Sequence, residues 1–173
     1  MTNRALMKTG GRLSMGGRFE FNCVDKHGNH KWSTYADNLI TDTGIAHLMD
    51  LTFAAGDTRN DVWYIGLLAD TDIKTTDIIG GISEATEYTG DRKVWTEART
   101  AKVITNSGNL ATFTFDKDAT TVDGAFLCSS ESKAAPGGVL MSGAAFAAGK
   151  VGDSGDVLTV TYALTFADNS TAA

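Results

Sequence analysis

Apolar and polar positions alternate with period two in several stretches of the chain, and the last is the cleanest. In residues 156–166, Leu158, Val160, Tyr162, Leu164 and Phe166 fall on one side, and Thr159, Thr161, Ala163 and Thr165 on the other. Alternation of this kind marks a strand with one buried face. Arg18 to Val24 repeats the pattern, with Phe19, Phe21 and Cys23 against Glu20 and Asn22. The polar residues 25–29, DKHGN, supply a hairpin loop, and HKWSTYA returns with Trp32 directed to the core or an interface.

Residues 38–54, NLITDTGIAHLMDLTFA, change to a helical period. Ile45, Leu48, Met49, Thr52 and Phe53 form the expected apolar stripe, and Thr41, Asp42 or Thr43 can cap the start. DVWYIGLLADT, residues 61–71, is a dense apolar run of strand length whose Gly66 predicts a bulge or a close backbone approach. Residues 70–93 read as a long polar connection with one helical turn at ISEATEY, and a loop of that length points to a function or an interface. From Val94 onward VWTEART, AKVITN, LATFTF, GAFLCSS, GVLMSGAAF and the closing strand follow one another, broken at Ser107–Gly108 and Pro136–Gly138. No repeat of fixed period runs through the chain.

These elements predict a mainly β fold: an antiparallel β-sandwich, jelly-roll-like, with one short helix and an extended N-terminal arm. Composition agrees, since 19 Gly, a single Pro and many Thr suit turns and pleated surfaces, and 42% hydrophobic with 21% charged residues suits a buried core. At 173 residues one domain, 18–173, is expected behind a flexible basic arm, 1–17.

Charge sharpens that division. The net charge is −6, yet residues 1–18 hold Arg4, Lys8, Arg12 and Arg18 with no acid, leaving 11 basic and 21 acidic residues, a charge of −10, on the remainder. An acidic body is unsuited to neutralising phosphates, so no nucleic-acid partner is expected. A cationic arm on an anionic body can instead dock on a neighbouring copy. No apolar run reaches a membrane span of about 18 residues and the first 17 residues lack a signal-peptide core, so cytoplasmic synthesis and no membrane partner are expected. Cys23 and Cys128, far apart and outside any CxxC, read as reduced and partly buried.

Catalytic patterns are thin. The chain has no G-x-S-x-G and no GxGxxG, and GAAFAAGKV, residues 143–151, misses the phosphate-loop spacing and ends in Val151 where a hydroxyl would hold magnesium, so it reads as a turn. Asp25, His27 and His30 lack further ligands for a metal, and a surface or partly buried structural role suits His47. Asp70, Asp72 and Asp77 lack the Gly and Glu of a calcium loop, and Glu84, Glu87 and Glu97 show no fixed separation. No enzyme activity, metal or cofactor is expected. Trp32, Trp63, Tyr64 and Trp95 could form a sugar platform, but each sits in a strand pattern, where core or interface packing is the commoner use.

The order of FEFNCVDKHGNHKW, NLITDTGIAHLMDLTF, WYIGLL, VWTEART, GAFLCSS and LMSGAAFAAGKVGDSGDVLTVTYALTF resembles small virion proteins of tailed bacteriophages, over nearly the whole chain from residue 17. The resemblance implies a capsid decoration or cement protein, with a tail or head-to-tail connector protein as the alternative and a carbohydrate-binding module as the rival from another class. It implies the major capsid protein and further copies of the chain as partners, a homo-oligomer with a trimer as working number, and a place on the capsid surface of the virion. Arg4, Lys8, Arg12 and Arg18 are the candidate docking residues of the arm, and Trp32, Trp63 and Trp95 the candidates for core or interface burial.

Overall fold

A computed structural model of the protein describes residues 13–54 and 58–168. Two antiparallel six-stranded sheets pack face to face. The first holds β1 (Leu13–Val24), β2 (His30–Asp37), β7 (Ala98–Thr100), β8 (Val103–Thr105), β9 (Ala111–Thr114) and β12 (Val157–Asp168), in the order β2-β1-β12-β8-β7 with β9 also on β12. The second holds β3 (Leu39–Ile40), β4 (Tyr64–Leu68), β5 (Glu84–Ala85), β6 (Lys93–Val94), β10 (Thr120–Cys128) and β11 (Leu140–Gly152), in the order β3-β11-β10-β4-β5 with β6 also on β4. Pairs nest: first with last strand, third with eleventh, fourth with tenth. The expected β-sandwich with one short helix is therefore present.

The alternation read in the sequence becomes the core. Phe19, Phe21 and Cys23 of β1 and Leu158, Val160 and Tyr162 of β12 are all buried, and the two strands pair in register from Leu13↔Asp168 to Val24↔Val157. Each such side chain contributes about 1.5–3 kcal/mol by leaving water. Tyr162 ties the sheets together. Its ring stacks on Phe19 at 4.0 Å, and its hydroxyl meets the Asn38 amide at 2.7 Å and the Ser142 hydroxyl at 3.0 Å. Its backbone N–H donates to Asn106 Oδ1, and its carbonyl accepts from Trp95 Nε1.

Three sequence expectations are corrected. First, the strand expected from Arg18 begins at Leu13, because residues 13–17 find backbone partners along the long terminal strand β12, where side-chain pattern matters little. Arg4, Lys8 and Arg12 lie outside the described residues. Second, the helical turn of the 70–93 connection falls at Ile79–Gly81, anchored by buried Ile79, whereas Glu84–Ala85 inside ISEATEY is strand β5. Third, GAAFAAGKV is no turn but the body of β11. In the first hairpin, Gly28 takes a φ of 86°, and Asp25 closes the loop by accepting the N–H groups of His27 and Asn29. Gly66 is the predicted close approach: a Cβ there would overlap the ring of Phe126 on the neighbouring strand.

The helix α1 (Asp42–Phe53) stands where its period placed it, but it is rotated. Thr41 caps it by accepting from Gly44 N at 3.1 Å, while the Thr41 and Thr43 hydroxyls donate to the Leu140 carbonyl of β11. Gly44 lies so close to the Met141 backbone that a Cβ would clash. These clamps turn Gly44 and His47 inward and leave Ile45 44%, Met49 56% and Phe53 86% exposed. The apolar stripe therefore faces outward along much of its length.

Candidate interaction surface

The outward stripe of α1 does not stand alone. β1 and β12 run on past the sandwich core, and their terminal inward residues Met15 and Phe166 face the helix. Together with Ile45, Leu48, Met49 and Phe53 they line an apolar groove of about 360 Å³. Leu48, Met15 and Phe166 also rest on the main core, so the floor is fixed while the rim is open. The helix lends no basic residue in its last turn, and its exposed or half-buried charges are Asp42 and Asp50. A contiguous apolar surface marks a contact site, because isolated soluble domains seldom leave such a patch in water. The helical period of the sequence gives the stripe, and the cap and Gly44 contacts decide which way it faces.

His47 explains part of the rotation. It is 2% exposed, its Nε2 lies 3.1 Å from Asn60 Nδ2, and its ring meets Trp63 edge-on at 5.7 Å. The expectation of a surface or partly buried histidine gives way to a fully buried, hydrogen-bonded one.

Of the four candidate docking cations, Arg18 is described. It lies on the outer face of β1, where its Nε donates to Asp37 at 2.7 Å and its guanidinium covers the Tyr35 ring at 4.3 Å. That hydrogen bond holds the Asp37 carboxyl below its ordinary value. The three tryptophans turn toward the interior. Trp95 is 5% exposed, Trp63 and Trp32 are half-buried against the core, and Trp32 Nε1 donates to the Val151 carbonyl at 3.0 Å. They do not share one open platform.

Several of the carboxylates considered for chemistry are used within the fold. Asp70 and Asp77 accept the backbone N–H groups of Asp72 and Lys74, and Asp72 pairs with Lys74. His30 Nε2 lies 2.7 Å from Ser33 Oγ. Glu84 lies in a buried ion pair that local sequence pattern does not signal: its two oxygens accept from Arg92 Nε at 2.9 Å and Nη2 at 2.8 Å. Arg92 Nη1 also donates to the Ser130 carbonyl and touches Cys128 Sγ at 3.5 Å. Burial pushes the Cys128 thiol up, and burial together with Asp156 raises Cys23 to about 11. Both cysteines are free, as the sequence spacing implied.

Among the described residues, no group of three or more His, Cys, Asp or Glu is placed to hold a metal, and no helix is long and apolar enough to cross a membrane. Comparison with known proteins finds no matching family model, no matching curated protein and no matching solved structure.

Proposed function

We propose that the protein is a non-enzymatic structural component of a tailed-bacteriophage virion that decorates or cements the capsid shell by bridging neighbouring subunits. The observation that carries this reading is the α1 groove: a sandwich with a well-filled core holds Phe53, Met49 and Ile45 in water beside a fixed apolar floor. Burying such a surface against another subunit supplies association energy without any reactive group. The charge division supports the same reading, because cationic Arg4, Lys8 and Arg12 precede an acidic body and complementary potentials align copies with one another or with a shell. Modest contacts repeated around a symmetric particle add up through avidity. The major capsid protein and further copies of this chain are the partners.

The test is co-sedimentation with phage heads that lack the protein. The native chain is expected to pellet with the heads at a fixed stoichiometry. Met49→Asp/Phe53→Asp is expected to stay in the supernatant while keeping its circular dichroism spectrum. Native protein that never associates with heads would overturn the reading, and equal binding by the variant would remove the groove from it.

A further inference from the structure

We propose that the open edge of β2 joins the same edge of a second copy, antiparallel about a two-fold axis at Tyr35, so that the first sheets of the two copies run on as one. This surface is separate from the α1 groove, and the contact belongs to the purified chain whatever larger particle receives it.

The open edge follows from the ladder. β2 is the end strand of the first sheet, and among the described residues it pairs with β1 alone. Asn38 N–H donates to the Gly17 carbonyl at 2.9 Å, so position 38 faces β1. Residues two apart in a strand turn their amide and carbonyl groups to the same edge, which makes Ala36 and Thr34 face β1 as well. Ser33, Tyr35 and Asp37 therefore turn theirs the other way, where no strand among the described residues meets them, and all three are exposed. A row of unpaired backbone groups is a template for another strand.

The edge selects its own copy and one register. A hydrogen-bonded pair needs an outward-turned residue on each strand. An axis at Tyr35 sets Tyr35 opposite the second copy's Tyr35 and Ser33 opposite its Asp37, which engages the whole set in roughly six backbone hydrogen bonds. Moving the axis to Asp37 would set two carboxylates face to face, which is unfavourable. Moving it to Ser33 would run into the bulge at Cys23/Val24, where Lys31 drops out of the ladder and its ammonium is held by Asp153 and Asp156. At the centre the Tyr35 rings, 61% exposed in the single chain, become a cross-strand aromatic pair, each backed by Arg18 at 4.3 Å. Arg18 also pairs with Asp37, so that carboxylate enters the seam already balanced. The contact uses the same edge on both copies, so it closes at two.

Sedimentation velocity of the full chain over a concentration series, with amide exchange followed by NMR, tests this. The native chain is expected to form a concentration-dependent dimer, and the Ser33, Tyr35 and Asp37 amides to gain protection with it while Thr34 and Ala36 keep theirs. Tyr35→Pro removes a donor that the fold itself does not use, and should weaken the dimer by about tenfold or more with an unchanged circular dichroism spectrum. Ser33→Asp, facing Asp37 across the seam, should weaken it too, whereas Ser33→Lys should tighten it. A native chain that stays monomeric at about 0.5 mM, a dimer equally strong in Tyr35→Pro and Ser33→Asp, or one dissolved instead by Met49→Asp/Phe53→Asp would overturn the proposal.

Discussion

Replacing Arg92 by Met removes the positive half of the ion pair that locks the 84–92 connection onto β10, while keeping an unbranched stem to lie over Phe126, whose ring centre is 5.2 Å from the guanidinium. The side chains of Arg92 and Glu84 are 1% and 5% exposed. The variant strands the Glu84 carboxylate, which retains the Ala134 N–H at 2.8 Å, and takes the guanidinium donor from the Ser130 carbonyl, which keeps the weaker Cys128 thiol at 3.3 Å. Breaking a buried pair by removing one partner costs about 3–5 kcal/mol. Against a total stability of about 5–15 kcal/mol, that is a large share. With a urea slope of about 2 kcal/mol per molar, the unfolding midpoint should fall by roughly 2 M. Urea titration by tryptophan fluorescence measures it, alongside Glu84→Leu/Arg92→Met, which removes both charges and should recover much of the loss. A fall below about 0.5 M in the single variant would refute the claim that this pair holds the connection in place.

Other outcomes follow from the same geometry. Gly66→Ala forces a methyl into the Phe126 ring and should destabilise by about 1–3 kcal/mol, read as a lower midpoint in thermal unfolding. Lys31 bridges Asp153 and Asp156, and its hydrogen bond holds the Asp153 carboxyl below the ordinary 3.8. A lowered carboxylate stabilises the fold above its unfolded value and ceases to do so as pH falls through its folded value. The stability gap between native protein and Lys31→Met should therefore be full at pH 7 and shrink below about pH 4; a gap independent of pH would contradict this. Cys23 and Cys128 should resist a thiol reagent at pH 8 until urea is added, because both are buried and their thiols are pushed up. Tryptophan fluorescence should stay unchanged across a glycan panel, since the indoles are turned inward; sugar-dependent quenching would favour a carbohydrate-binding module.

How much of this could be read from the chain differs by element. The closing strand was legible to the residue, because a face that alternates Leu158, Val160, Tyr162 and Leu164 has one way to be buried. The position of α1 was legible too, through its cap, but its rotation was not. Period alone assigns the largest apolar stripe to the core, whereas Gly44 and His47 take that place, one because only a glycine fits beside Met141 and the other because Asn60 and Trp63 receive its ring. The groove was missed for that reason. The Glu84–Arg92 pair was missed because its residues stand in a polar stretch where nothing local distinguishes a buried charge from a solvated one. The early start of β1 was hidden by Gly16 and Gly17, which carry no pattern yet pair through their backbones.

Electron microscopy of the intact virion tests the central claim most directly. The account predicts sandwich-shaped density on the outer shell with the α1 face against a neighbouring subunit. Density in the tail or connector, a sandwich whose α1 face looks into solvent, or virions without the protein would contradict it.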